Sequence, residues 1–265
     1  MRLRLTAAVV AAVMVCSVGV RAADSRGWVK QADNGGKVAA AESFDSAQTY
    51  FNRARKLGFP AAGQGAPYVL KAEFTTRGSS GVVETGTYTD TWVSDSKWLR
   101  EAVLGKSRFA RSRNGKKRYR VAEGPDAALL QFVLTAMEPL PATDAYFTES
   151  DWRVKRDTVD GVIMTRVASG RENPDGSPDP KEFNGFWFDD AGQLVKTYGN
   201  GLETRRENFA DFNGVKVARQ VEILIEGKVG MRIDVTALGP AGKVDGSMFA
   251  IKGHDWERQY TFEVR

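Results

Sequence analysis

Apolar positions change period along the chain. Phe44, Ala47, Phe51 and Ala54 recur at spacings of three and four, which marks one face of an amphipathic helix. The spacing predicts a helix over Ser43–Leu57, stopped by Gly58 with Pro60 just beyond. From Tyr68 the period drops to two. Tyr68, Leu70, Ala72 and Phe74 share one face, and Lys71, Glu73 and Thr75 share the other, the alternation of a strand with one buried face. Further strands are expected near Val82–Ser94, Lys97–Leu104, Arg108–Arg111 and Lys116–Val121, the last two joined by the turn pair Asn114-Gly115. A second helix is predicted from Pro125 to Met137, where Leu129, Leu130, Val133, Leu134 and Met137 form a broad apolar stripe ended by Pro139 and Pro141.

Strands resume over Trp152–Thr158 and Val162–Ala168, and continue as Phe183–Phe188, Gln193–Tyr198, Leu202–Ala210, Val215–Glu226 and Val229–Leu238. In the last two, Val217, Val221, Ile223 and Ile225 point one way, as do Val229, Met231, Ile233 and Val235. The expected fold class is mainly antiparallel β, about ten or eleven strands curved into an unclosed half-barrel. The amphipathic helices cover its concave face as a lid. No linker of domain size interrupts residues 41–265, which are read as a single domain.

Composition changes the picture at the N-terminus. Arg2 and Arg4 precede an apolar run from Leu5 to Val15, and Val20-Arg21-Ala22 supplies a cleavage site, so residues 1–22 read as a signal peptide cut after Ala22, with Ala23 the close alternative. The run is too short for a membrane span, which needs roughly 20 apolar residues. Val15 is too bulky before Cys16 for a lipoprotein signal, so no lipid anchor is expected there. Residues 23–40 are small and polar, a flexible leader. Arg2, Arg4 and Arg21 leave with the signal, so 38 basic against 33 acidic residues become 35 against 33. The high pI is therefore partly the signal's, and nucleic acid is not an expected partner. The expected location is the periplasm.

Several stretches carry a family resemblance. Gly86-Thr87-Tyr88-Thr89-Asp90-Thr91-Trp92 followed by Ser94-Asp95-Ser96-Lys97-Trp98-Leu99-Arg100 is similar to the early strand pair of the lipoprotein-carrier (LolA/LolB-like) half-barrel superfamily, especially its uncharacterised periplasmic branch. Trp187-Phe188-Asp189-Asp190-Ala191-Gly192-Gln193-Leu194-Val195 resembles a later hairpin of that family. Phe209 to Val217 resembles the strand–turn–strand after it, and Val244 to Phe249 the closing segment. The resemblance spans roughly Ala41 to Phe249. It implies helices over a concave apolar face, a cavity that in the carriers holds lipoprotein acyl chains, and a sheet arginine that bonds to lid backbone. Arg100 matches that arginine.

The chemistry of catalysis is sparse. His254 is the single histidine, and the one cysteine leaves with the signal, so no metal, cofactor or catalytic residue is expected. Asp189-Asp190-Ala191-Gly192 reads as a turn. Two groups remain. The concave ligand-binding face is expected to hold Tyr68, Leu70, Phe74, Trp92, Trp98, Phe186, Phe188, Ile223, Ile225 and Ile233, with Phe44, Phe51, Leu130, Leu134 and Arg100 in the lid. Lys106 to Arg120 holds eight cations and no acid. Within it Arg111, Arg113, Lys116, Lys117 and Arg118 form a candidate docking patch for an anionic membrane surface or an acidic envelope protein. The expected function is a non-enzymatic, monomeric periplasmic carrier of a lipid, a lipoprotein acyl chain or another apolar ligand. The alternative is an envelope interaction or sensing module with a filled core.

Overall fold

The computed structural model describes residues 44–60, 66–78, 81–138, 140 and 151–251, and the backbone of residues 254–255. The expected signal peptide with its expected cleavage after Ala22, Cys16, the expected leader 23–40 and the side chain of His254 lie outside the described residues.

Helix α1 spans Ala47–Gly58. Ser46 sets its start: its backbone is extended at φ −65° and ψ 153°, and its side chain accepts from the Thr49 amide at 3.2 Å, the usual N-cap arrangement. Arg55 and Lys56 in the last turn place positive charge at the negative end of the helix dipole. The cap falls later than the expected start at Ser43, so Phe44 sits in the segment before the helix and is only half-buried. The stripe that the helix buries is Ala47, Phe51 and Ala54. Helix α2 spans Ala127–Met137 and buries Leu130, Val133, Leu134 and Ala136. Its N-cap residue, Asp126, is held by Ser107, whose hydroxyl donates to the carboxylate at 3.3 Å and accepts from the amide at 3.0 Å.

The strands are β1 (Tyr68–Arg77), β2 (Val83–Ser94), β3 (Lys97–Leu104), β4 (Ser107–Asn114), β5 (Lys117–Glu123), β6 (Trp152–Val159), β7 (Val162–Ser169), β8 (Asn184–Phe188), β9 (Leu194–Gly199), β10 (Leu202–Phe212), β11 (Val215–Ile225), β12 (Lys228–Pro240) and the two-residue β13 (His254–Asp255). They form one antiparallel sheet of thirteen strands in the order β13-β5-β4-β3-β2-β1-β12-β11-β10-β9-β8-β7-β6. Neighbours in space are neighbours in sequence except at β1–β12 and β13–β5, so the chain builds hairpins outward on both sides of one long-range pair. The two edges, β6 and β13, do not pair with each other, and the sheet stays open. Register shifts in the β1–β12, β2–β3, β8–β9 and β11–β12 pairs bend it. Asp160-Gly161 and Asn213-Gly214 both take positive φ at the β6–β7 and β10–β11 turns, the left-handed pair that a tight hairpin needs.

Both helices pack on the same face of the sheet, through two hydrophobic clusters. In one, Leu130, Val133 and Leu134 of α2 meet Phe74, Tyr88, Phe109, Val221 and Ile233. In the other, Phe51 of α1 meets Phe186, Phe188 and Leu194, with Phe51 and Phe186 edge to face at 5.0 Å. The opposite face is also covered in part: Phe249, in a 3-10 turn at Gly246–Phe249, packs on Leu99, Ala110 and Val121. No helix among the described residues is long and apolar enough to cross a membrane.

One expected concave residue departs from this arrangement. Ile225 is 48% exposed, as is its neighbour Val229 at 55%. Both lie at the β11–β12 tip, past the register shift at Ile223/Leu224 and beside the Glu226-Gly227 reversal, where the chain leaves the covered part of the sheet.

Candidate functional site

Two rows of side chains cross β1 to β5 on the helix-bearing face. Tyr68, Trp92, Trp98, Arg113 and Arg118 stand in register in one row; Leu70, Asp90, Arg100, Arg111 and Arg120 stand in the next. Each row passes from apolar at β1 to cationic at β4 and β5. Above them opens a cleft of about 760 Å³, within the about 300–1,000 Å³ typical of small-molecule sites. The C-terminal ends of both helices form part of its rim, with Gly58 and Phe59 from α1 and Met137 and Glu138 from α2. Phe209, Val217 and Val221 form the wall across from β1–β3.

The aromatic end is ordered by stacking. Tyr68 and Trp92 lie at 5.8 Å with 14° between their planes. The Tyr68 hydroxyl donates to Asp90 Oδ2 at 2.9 Å, and Arg100 Nε donates to the same oxygen at 3.3 Å. Arg100 also donates through Nη1 to Glu138, the residue that caps α2, and its guanidinium lies 4.5 Å from the Trp98 ring. Arg100 is 8% exposed. Burial works against its charge, but Asp90 and Glu138 outweigh burial and hold its pKa above the ordinary value. Burial, reinforced by Asp90, pushes the hydroxyls of Tyr68 and Tyr88 well above the ordinary phenol range.

Arg206, on β10 at the cleft's far wall, is 7% exposed and donates to the main-chain carbonyl of Ala136 in α2. Burial lowers its pKa to about 9. The bond from a sheet arginine to lid backbone, which the family resemblance placed on Arg100, is made by Arg206. Arg100 reaches the lid through the Glu138 side chain. Both lie near the C-terminal end of α2, where the helix dipole favours a cation.

The structure distributes the sequence-predicted residues among different surroundings. Tyr68, Leu70, Trp92 and Trp98 line the cleft. Phe74 and Ile233 are fully buried in the cluster under α2. Phe186 and Phe188 pack under α1, and Phe186 and Ile223 edge a smaller cavity of about 140 Å³. In the lid, Phe51, Leu130 and Leu134 are buried and Phe44 is not. The cationic hairpin divides. Lys116 and Lys117 are exposed at the β4–β5 turn, whereas Arg111, Arg113 and Arg118 are half-buried and line the cleft. The five cations of the expected docking patch therefore fall in two groups: Lys116 lies in the turn, and Lys117 and Arg118, adjacent on β5, face opposite sides of the sheet.

Tyr88, Asp90, Glu138, Arg206 and Phe209 also line the cleft and were missed from sequence. Asp90 did leave a signal: Tyr88, Asp90 and Trp92 share one strand phase, and an acid on an apolar phase must find a partner or unfold the strand. Among the described residues, no group of three or more His, Cys, Asp or Glu side chains could hold a metal ion.

No protein-family model matches the sequence, and no curated protein matches it. Three solved structures align with most of the chain, each at low identity and a TM-score below 0.5. A LolA superfamily protein from Nitrosomonas europaea aligns at 11% identity and a TM-score of 0.48, over 78% of this chain and 98% of that one. A DUF1329 family protein from Desulfovibrio piger aligns at 9% identity and a TM-score of 0.46, over 78% and 98%. A putative outer membrane lipoprotein-sorting protein domain from Vibrio parahaemolyticus aligns at 9% identity and a TM-score of 0.45, over 77% and 94%.

Proposed function

We propose that this chain is a periplasmic binding or carrier protein that takes a lipid, a lipoprotein acyl chain or another apolar ligand into the cleft, without performing chemistry on it. The observation that carries this reading is the cleft itself: about 760 Å³ of space between one face of an open sheet and the ends of two helices. Its walls include Tyr68, Leu70, Trp92, Trp98, Phe209 and Val221. An apolar chain against these walls contributes about 0.8 kcal/mol for each buried methylene. Two of the cleft's carboxylates, Asp90 and Glu138, are engaged by Arg100, which supports a binding rather than a catalytic role. The export reading of residues 1–22 supports the periplasmic location. The rival, an interaction module packed solid by its helices, is the less favoured reading because such packing leaves no space of this size.

Native mass spectrometry of protein purified from its periplasm, followed by lipid extraction, tests the reading. The expected result is a mass above that of the mature chain that falls on extraction. A protein that is reproducibly empty, and that also leaves hydrophobic fluorescent probes unchanged, would remove it.

A further inference from the structure

Asp90 is a carboxylate set among aromatic and aliphatic side chains. Leu70 and Arg100 stand opposite it on β1 and β3, and Tyr88 and Trp92 flank it on the same side of β2. All of these line the cleft. Asp90 is 7% exposed, and its two oxygens differ in their partners. Oδ2 accepts from the Tyr68 hydroxyl at 2.9 Å and from Arg100 Nε at 3.3 Å. Oδ1 is buried and accepts no hydrogen bond among the described residues. The far wall holds the converse. Arg206 is 7% exposed, donates to the Ala136 carbonyl, and keeps a buried Nη1 without a hydrogen-bond partner among the described residues. A buried polar atom left unpaired costs free energy that a partner restores. The cleft runs between these two walls, so a ligand lying in it meets both side chains.

The chemistry of the two atoms selects the ligand. Asp90 Oδ1 requires a donor. An ionised carboxylate has no proton to give and places like charge beside Asp90. Arg206 Nη1 requires an acceptor, which an ammonium lacks. A hydroxyl or an amide donates, accepts and carries no charge.

We infer that the ligand is a neutral amphiphile, an apolar chain whose polar end carries a hydroxyl or an amide that donates a hydrogen bond to Asp90 Oδ1. The inference rests on the carrier reading and names its ligand class. Asp90 is then the residue that sets specificity. Arg206 takes an oxygen of the same polar end but does not select the class, since neutral and anionic oxygens both accept.

The test uses the delipidated mature chain at neutral pH and fluorescent probes that differ only in the head group: 11-(dansylamino)undecan-1-ol, its methyl ether, and 11-(dansylamino)undecanoic acid. The ether accepts a hydrogen bond and cannot donate one. The alcohol binds wild type at least about tenfold more tightly than the ether, the worth of one hydrogen bond to a buried charged group. It also binds more tightly than the acid. Asp90→Asn loses most of the preference for alcohol over ether, because its amide nitrogen donates to the ether oxygen. Equal affinity of wild type for alcohol and ether shows that water serves Oδ1; it overturns this inference and leaves the carrier reading standing. Tighter binding of the acid than of the alcohol, or a preference kept in Asp90→Asn, overturns it as well. Binding of none of the probes overturns the carrier reading and this inference with it. Should Asp90→Asn fail to fold, wild type labelled with carbon-13 at aspartate Cγ takes its place. An aspartate resonance then moves with the alcohol and stays with the ether, and identical spectra with the two probes overturn the inference.

Discussion

Arg206 on β10 donates a hydrogen bond to the main-chain carbonyl of Ala136, in the last turn of α2, and so ties the second helix to the sheet on the far side of the cleft from Arg100. The bond answers one of the carbonyls that every helix leaves without an internal donor at its C-terminal end. It comes with a cost, because among the described residues Arg206 has no carboxylate partner and its Nη1 makes no hydrogen bond, and burial lowers its pKa to about 9.

Replacing Arg206 therefore separates lid attachment from global stability. Arg206→Met removes the buried charge and fills similar volume, so relief of desolvation offsets the lost hydrogen bond. Urea unfolding at neutral pH is expected to change by less than about 1 kcal/mol. Amide hydrogen exchange over Ala127–Met137 is expected to quicken. A large loss of stability with unchanged exchange in α2 would contradict this account.

Arg100 behaves differently because carboxylates depend on it. Arg100→Met leaves Asp90 buried with, among the described residues, the Tyr68 hydroxyl as its one side-chain hydrogen-bond donor, a loss of about 3 kcal/mol in urea unfolding at neutral pH. Asp90→Asn/Arg100→Met is expected to recover most of that loss, because the buried charge of Asp90 is gone and Glu138, the other carboxylate released, has a side chain 46% exposed. Additive losses in this double-mutant cycle would show that the two side chains do not act as a pair.

Alkali should unfold the protein through its buried tyrosines. In the unfolded chain a tyrosine ionises near pH 10; in the folded chain Tyr68 and Tyr88 keep their protons to higher pH, because burial and Asp90 oppose the phenolate. The folded state then holds more protons than the unfolded state. Stability from these groups is complete below about pH 10 and falls as pH rises past it. Tyr68→Phe is expected to flatten the fall between about pH 10 and 11, measured as urea midpoints across the range. Arg206 contributes the opposite sign, gaining stability as pH rises past about 9, so the tyrosine slope is cleanest in an Arg206→Met background.

Gly86 is a packing requirement. It stands opposite Phe74 in the β1–β2 pair, and a Cβ there would fall 2.2 Å from the Phe74 ring and 2.5 Å from the Val103 carbonyl. Phe74 is fully buried under α2 and cannot move freely. Gly86→Ala is expected to cost about 1–3 kcal/mol in thermal unfolding, with part recovered by adding Phe74→Leu.

Much of the local structure was legible because it rests on short-range pattern. The alternation Tyr68, Leu70, Ala72, Phe74 against Lys71, Glu73, Thr75 reappears as the burial alternation of β1. Asp160-Gly161 and Asn213-Gly214 turn where their positive φ is needed. The start of α1 was misplaced because Phe44 continues the helical spacing, while Ser46 sets the start by accepting from the Thr49 amide. The β4–β5 hairpin was harder. Its face could not be assigned from pattern, since Leu99, Ala110 and Val121 on the opposite side are covered by Phe249. Assigning a face depends on contrast between a buried and a solvated side, and here both sides are covered.

By itself the sequence determined the one-sided strands, the two amphipathic helices and a hairpin rich in cations, all set by periods of two and 3.6 and by turn residues that act over a few positions. Only the tertiary structure decided that β1 pairs with β12, that Asp90 and Glu138 meet on Arg100, that Arg206 rather than Arg100 bonds the backbone of α2, and that Arg111, Arg113 and Arg118 face the cleft. These relationships join residues far apart in the chain. Each depends on strand order and register, and a shift of one residue would turn every side chain of a strand to the other face.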